Sequence, residues 1–355
     1  MVSVLVVDDS VVVRRLIVDA LGSDPALQVV GTAPNGRVAL AKIEALRPDV
    51  VTLDIEMPVM DGLTTLRELR RTHPRLPVIM FSTLTAAGAS ATLEALAAGA
   101  SDYVTKPANV GSVTESVQSV REQIIPRIHA LGGSRSAVRA APARPAAAAP
   151  PKAAGGVPQI VAIGCSTGGP EALTGIVKAL PASFPLPVVV VQHMPRVFTR
   201  MFAERLDRTA ALKVVETQSG VPLRAGTVHI APGDFHLEVV RRGVETVTRL
   251  QQGPPENFCR PAVDVLFRSV AAAYPSGSVL AAVLTGMGQD GRRGCRDLLA
   301  RGAEIIAQDE ASSVVWGMPG AVVADGLAHH VLPLGDIPHH LLSRTTGDRA
   351  ARKRG

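Results

Sequence analysis

The stretch IVAIGCSTGGPEAL, from Ile160 to Leu173, runs from an apolar strand pattern through a turn poor in side chains into the first turns of a helix. A strand that passes so directly into a helix is the repeating unit of a doubly wound parallel sheet. The neighbouring stretches repeat the unit. PLPVVVVQHM (185–194) and SVLAAVLTGMG (278–288) are apolar runs too continuous to leave one face in water, so they read as central parallel strands. HIAPGDFHLEVVRRGVETVTRL (229–250) instead alternates apolar and polar residues with turn punctuation, and predicts an antiparallel insertion. A Rossmann-like, mostly parallel sheet with one antiparallel hairpin is therefore expected over residues 158–343.

The first third of the chain shows the same alternation in a stricter form. SVLVVDD, VVGTA, DVVTLDIEMP, PVIMFST and DYVTKP alternate with helical patterns, predicting five parallel strands and five helices of a flavodoxin-like domain over residues 1–125. Between the domains, GGSRSAVRAAPARPAAAAPPKAAGG offers almost nothing to bury and predicts a linker over 126–157. A basic tail is expected over 344–355.

Hydrophobic residues make up 46% of the 355 residues but aromatics only 3%, so both cores must be built from Val, Leu, Ile and Ala. The net charge of +6 is carried by segments outside the expected domains. Arg135, Arg139, Arg144 and Lys152 lie in a stretch without acids, and five basic residues against Asp348 follow Ser343. The folded remainder is thus slightly acidic, which argues against a nucleic-acid surface. No apolar run spans a bilayer, and MVSVLVVDDS has no basic region or cleavage site, so a cytoplasmic protein without membrane insertion is expected. Cys165, Cys259 and Cys295 lie too far apart for a CxxC site or a disulfide framework.

In an open parallel sheet, functional groups collect beyond the carboxyl ends of the strands. In the first domain those positions hold Asp8, Asp9, Asp54, Thr83 and Lys106. Three carboxylates close together repel unless a cation neutralises them, and an oxygen-only set without Cys or His suits Mg²⁺. Lys106 and the Thr83 hydroxyl could hold an anion beside it.

In the second domain, GCSTGGP lacks the Lys-Ser/Thr of a phosphate-binding loop and has Ser166 where a dinucleotide fingerprint needs glycine. Gly164, Ser166 and Gly168 do fit G-x-S-x-G, which alone leaves open a mere glycine-rich helix start. A nucleophilic serine needs a base, and the base an orienting carboxylate. His193 follows one apolar strand and Asp290 lies in the glycine-rich loop after another, so all three could converge at one sheet edge. Cys165 reads as a small strand-end residue. His329, His330, His339 and His340 read as solvated loop residues rather than metal ligands.

VLVVDDS, LDIEMPVMDG, FSTLT and DYVTKP resemble the receiver domain of bacterial two-component response regulators. The resemblance implies phosphoryl transfer from a histidine kinase to Asp54, Mg²⁺ held with Asp8 and Asp9, and phosphate sensing by Thr83 and Lys106, with Tyr103 as the switch aromatic. Across the chain, IGCSTGGPEAL, QHMPRVFTRMFAERLD, HIAPGDFH, RPAVDVLFRSVA, LTGMGQDG and SSVVWGMPGAV together resemble the receiver-linked protein-glutamate methylesterases of bacterial chemotaxis. That resemblance implies hydrolysis of glutamate γ-methyl esters on chemoreceptors, often with deamidation of receptor glutamines. It implies Ser166 as nucleophile, His193 as base then acid, Asp290 as the group that fixes the imidazole, and no cofactor for the hydrolytic step. The backbone N–H groups of Thr167 and Met287 are the oxyanion candidates. The competing class is a non-catalytic phosphorelay adaptor that binds receptors. It explains the receiver but not the serine, histidine and aspartate together.

Overall fold

The computed structural model describes residues 1–106, 113–133 and 156–352. The chain forms two compact units, Met1–Ala143 and Arg144–Gly355.

In the first unit, β1 (Val2–Val7), β2 (Leu27–Ala33), β3 (Val50–Asp54), β4 (Val78–Ser82) and β5 (Asp102–Thr105) form one parallel sheet in the order β2-β1-β3-β4-β5. Helices α1 (Val11–Leu21), α2 (Gly36–Leu46), α3 (Gly62–Thr72), α4 (Ala86–Ala97) and α5 (Val113–Gly132) alternate with the strands. Ser10, Asn35, Asp61 and Thr85 cap the first four through side-chain oxygens, each accepting from a backbone N–H in the first turn. All of β3 and β4 is buried, as a sheet covered on both faces requires.

Helix α5 runs past residue 125, the expected domain end, and continues through Gly132 despite Pro126. A mid-helix proline costs about 3 kcal/mol. Ile124, Ile128 and Leu131 are buried on one stripe of that helix, and at about 1.5–3 kcal/mol each their burial outweighs it. Asp102 also holds Arg127 at 3.0 Å. The rest of the expected linker, up to residue 155, lies outside the described residues.

In the second unit, β6 (Ile160–Cys165), β7 (Val188–Gln192), β8 (Lys213–Glu216), β9 (Thr227–Ile230), β12 (Val279–Val283), β13 (Glu304–Gln308) and β14 (His330–Leu332) form a seven-stranded parallel sheet in the order β14-β13-β12-β6-β7-β9-β8. Strands β10 (His236–Arg242) and β11 (Glu245–Gln251) pair antiparallel as a separate hairpin. His229 and Ile230, read from sequence with that hairpin, belong instead to the parallel sheet, where Val228, His229 and Ile230 are all buried. The helices are α6 (Gly169–Ala179), α7 (Arg196–Thr209), α8 (Val263–Ala273), α9 (Arg292–Ala300), α10 (Met318–Ala324) and α11 (Ile337–Arg352). The basic tail expected from residue 344 is therefore helical to Arg352, and Arg344 pairs with Glu304 at 2.7 Å.

The chain leaves β6 for β7 on one side and later returns to β12 on the other. Such a reversal opens a crevice at the carboxyl end of the first strand, and Ser166 lies there. Among the described residues no helix is long and apolar enough to cross a membrane.

Candidate functional site

The turn after β6 is built by local geometry. Ser166 donates its N–H to Thr285 O at 3.1 Å, and its carbonyl accepts from Gly169 N at 2.7 Å and Gln192 Nε2 at 3.0 Å. Gly168 sits at φ 76°, a conformation costly for a residue with a Cβ, and a Cβ there would meet Val314 at 2.6 Å. A Cβ on Gly286 would meet Ser166 Cβ at 2.9 Å. The glycines thus let two strand-end loops close on the serine.

His193 follows β7 and donates its N–H to Cys165 O at 3.2 Å, which holds it beside the β6 turn. Its Nε2 lies 2.8 Å from Asp290 Oδ2. That pairing keeps a proton on Nε2 and leaves the Nδ1 lone pair as the basic site. The structure thus brings His193 and Asp290 into contact. Ser166 stands on the adjacent strand end, and its hydroxyl forms no hydrogen bond to His193 among the described residues.

Asp290 is 2% exposed and fully occupied. Oδ2 also accepts from Val263 N at 2.7 Å; Oδ1 accepts from Asp264 N at 3.0 Å, Gly291 N at 2.9 Å and Asn257 Nδ2 at 2.8 Å. Helix α8 has no side-chain cap of its own, so the Asp290 carboxylate fills its N-terminus. Burial pushes the Asp290 carboxyl up, but the bond and charge of His193 and the α8 N–H groups hold it below the usual carboxylate range. Burial works against charging His193, yet Asp290 and Cys259 raise its imidazole above its ordinary value.

Three contacts here went unread in the sequence. Cys259 Sγ lies 3.5 Å from His193 Nδ1. Asn257 Nδ2 bridges Asp290 and Asp264 Oδ2, the latter at 2.9 Å, and Gln192 ties Ser166 O to His193 O. The only signal was their place in PENFCRPAVD and beside His193, a loop with no periodicity to interpret. Cys165 is fully buried, and burial pushes its thiol up out of reach of ionisation, which suits the strand-end role expected for it.

The receiver positions also converge. Asp8, Asp9 and Asp54 offer oxygens within 4.8 Å of one another. Lys106 Nζ lies 2.8 Å from Asp54 Oδ1 and 3.2 Å from Asp8 Oδ2, the latter without hydrogen-bond alignment. Asp54 Oδ1 also accepts from Ile55 N at 2.8 Å, while Oδ2 is buried without a hydrogen-bond partner. One ammonium cannot neutralise three carboxylates, so the donor chemistry fits a hard divalent cation such as Mg²⁺. Burial, helped by the Asp8 charge, lifts the Asp54 carboxyl to about 6 although Lys106 opposes it. Asp54, Thr83 and Lys106 line one small cavity, and the Thr83 hydroxyl lies 3.1 Å from that of Thr85. Tyr103 is buried, which raises its phenol.

His330 and His340, read as solvated, instead converge on the buried Glu304 at the amino end of β13.

Residues 161–341 match the family described as CheB methylesterase, and residues 4–118 match the response regulator receiver domain. A Nocardioides sp. protein named protein-glutamate methylesterase/protein-glutamine glutaminase is 56% identical over 358 residues, covering 98% of this chain and 96% of that one. A Trichodesmium erythraeum protein of the same name is 47% identical over 353 residues, covering 96% and 98%. The crystal structure of the Thermotoga maritima CheB methylesterase catalytic domain aligns at 44% identity with a TM-score of 0.51, covering 52% of this chain and 98% of that one.

Proposed function

The chain belongs to the CheB methylesterase family, and on that footing we propose that it is a phosphorylation-gated hydrolase of glutamate γ-methyl esters on chemoreceptors, which also deamidates receptor glutamines. The observation that carries the reading is the His193–Asp290 pair at 2.8 Å beside the Ser166 turn.

Ser166 Oγ attacks the ester carbonyl as His193 Nδ1 takes its proton. Asp290 stabilises the imidazolium through Nε2–H. The tetrahedral oxyanion forms near the N-terminus of α6, where the Thr167 and Met287 N–H groups are the proposed donors. The C–O bond to methoxide then breaks, His193 returns the proton and methanol leaves. Water, deprotonated by the same imidazole, attacks the acyl-serine and frees the glutamate carboxylate and Ser166. With a glutamine substrate the leaving group is ammonia. No cofactor is required by this sequence of steps.

In the receiver, a histidine kinase is the proposed phosphodonor and Asp54 Oδ2 the acceptor oxygen, in keeping with its lack of a hydrogen bond. Asp8, Asp9 and Asp54 would hold Mg²⁺, which when bound neutralises charge on the phosphoryl group. Lys106 and Thr83 would then bind its oxygens, with Tyr103 responding to that change. The proposed location is the cytoplasm, where receptor and kinase would be reached.

The test is methanol release from methylated receptors of the same cell, with and without a phosphodonor. Ser166→Ala should lower turnover by at least about 10³-fold, since such a set acts as a unit. Unchanged release from Ser166→Ala would exclude this serine as the nucleophile, whereas no release from the wild type with or without phosphodonor would favour a binding role.

A further inference from the structure

The cluster around Glu304 lies at the opposite end of the sheet from Ser166, since Glu304 is the first residue of β13, while Gln308, its last, accepts through Oε1 from Thr285 N at 2.8 Å beside the Ser166 turn. Glu304 is 5% exposed. Its Oε1 is 2.7 Å from His340 Nε2 and 3.2 Å from His330 Nε2, while Oε2 is 2.7 Å from Arg344 Nε. The two imidazole centroids are 4.4 Å apart. The four residues come from three elements: β13, the start of β14, and α11, where His340 and Arg344 are four apart on one face.

As an ion-pair cluster this arrangement is overcrowded. Were both imidazoles charged, three cations would surround one carboxylate. Two imidazole Nε2 atoms aimed at one buried carboxylate oxygen are also the geometry of a metal-ligand set, imidazole being a common metal donor. Arg344 holds Oε2, which leaves Oε1 as a monodentate donor.

We propose that Glu304 Oε1, His330 Nε2 and His340 Nε2 form a site for a divalent transition ion of the Zn²⁺ class, one that ties α11 to β13 and β14. The three donors lie within 4.8 Å of one another. Bonds of about 2.0–2.2 Å in tetrahedral geometry space ligands roughly 3.3–3.5 Å apart, so the shorter gap to His340 needs to open by only about 0.7 Å. Two nitrogens and one oxygen favour Zn²⁺, Co²⁺ or Ni²⁺ over Mg²⁺, which separates this site from the carboxylates of the receiver. A fourth position remains for water.

The test uses the untagged, chelator-stripped full chain in excess Mg²⁺, titrated with Co²⁺. One equivalent should give the intense visible bands of a tetrahedral, nitrogen-ligated ion, displaced by Zn²⁺, and Zn²⁺ should raise the melting temperature. His330→Gln, at a half-exposed position, and His340→Gln should each weaken Co²⁺ at least tenfold, and Asp54→Asn should not. X-ray absorption of the Zn²⁺-loaded wild type should show two imidazoles and no sulfur, whatever the variants do. Absent bands, bands that persist in both folded histidine variants, or fewer than two imidazoles on zinc would overturn the proposal.

Discussion

Cys259 Sγ sits 3.5 Å from Nδ1 of His193, the ring nitrogen that Asp290 leaves unprotonated. Cys259 is one of the groups that raise the His193 imidazole. In the proposed mechanism His193 must be neutral to act as base, so kcat/KM should climb with pH through its pKa. Cys259→Ala should move that acid limb to lower pH while activity on the plateau persists. A pH–rate profile that superimposes on the wild type would show that the thiol does not tune the base.

Asn257 separates two carboxylates, Asp264 and Asp290, by donating to both. Burial raises the Asp264 carboxyl, with the Asp290 charge adding to it. Asn257→Ala removes one of three donors to Asp290 Oδ1 and leaves Asp264 Oδ2 a buried unsatisfied acceptor, at a cost of about 1–3 kcal/mol. Turnover should fall by roughly tenfold to hundredfold with KM little changed, because the loss acts on orienting His193 and not on substrate binding. A rise in KM at constant kcat would place Asn257 in substrate recognition instead.

Gating by the receiver predicts a faster truncated enzyme. A chain beginning at Gly156 should hydrolyse receptor esters faster than the unphosphorylated full chain, and should ignore phosphodonor. A tenfold effect needs only about 1.4 kcal/mol of differential interaction. If the folded fragment is no faster, inhibition by the receiver is wrong and phosphorylation acts by recruitment.

Glu304 opposes acid unfolding. Burial pushes its carboxyl up, but the bonds and charges of His340 and Arg344 dominate and hold it at about 2. Its folded pKa lies below its unfolded value, so this stability is complete above the ordinary Glu pKa and is lost as pH falls towards about 2. Melting temperatures measured downward from pH 5 should fall less steeply in Glu304→Gln than in the wild type. Parallel curves would mean that Glu304 gains nothing from its partners on folding.

Sequence by itself determined most of the elements and strand ends, though it put His229 and Ile230 with the hairpin and not in β9. Continuous apolar runs fixed the parallel strands, and polar residues placed just past them marked Asp8, Asp54, Ser166 and His193, because a parallel strand presents its functional groups at one end. What it did not determine was which loops meet there. Cys259 and Asn257 reach His193 and Asp290 through sheet order and loop closure, and neither leaves a periodic trace. Periodicity also fell short at Pro126, where the tertiary burial of Ile124, Ile128 and Leu131 outweighs a local helix breaker. Glu304, His330 and His340 are likewise distant in the chain, and only the pairing of β14 with β13 and the return of α11 bring their donors to one point. Local pattern encodes what each segment prefers, whereas contact between segments is set by the packing that all of them share.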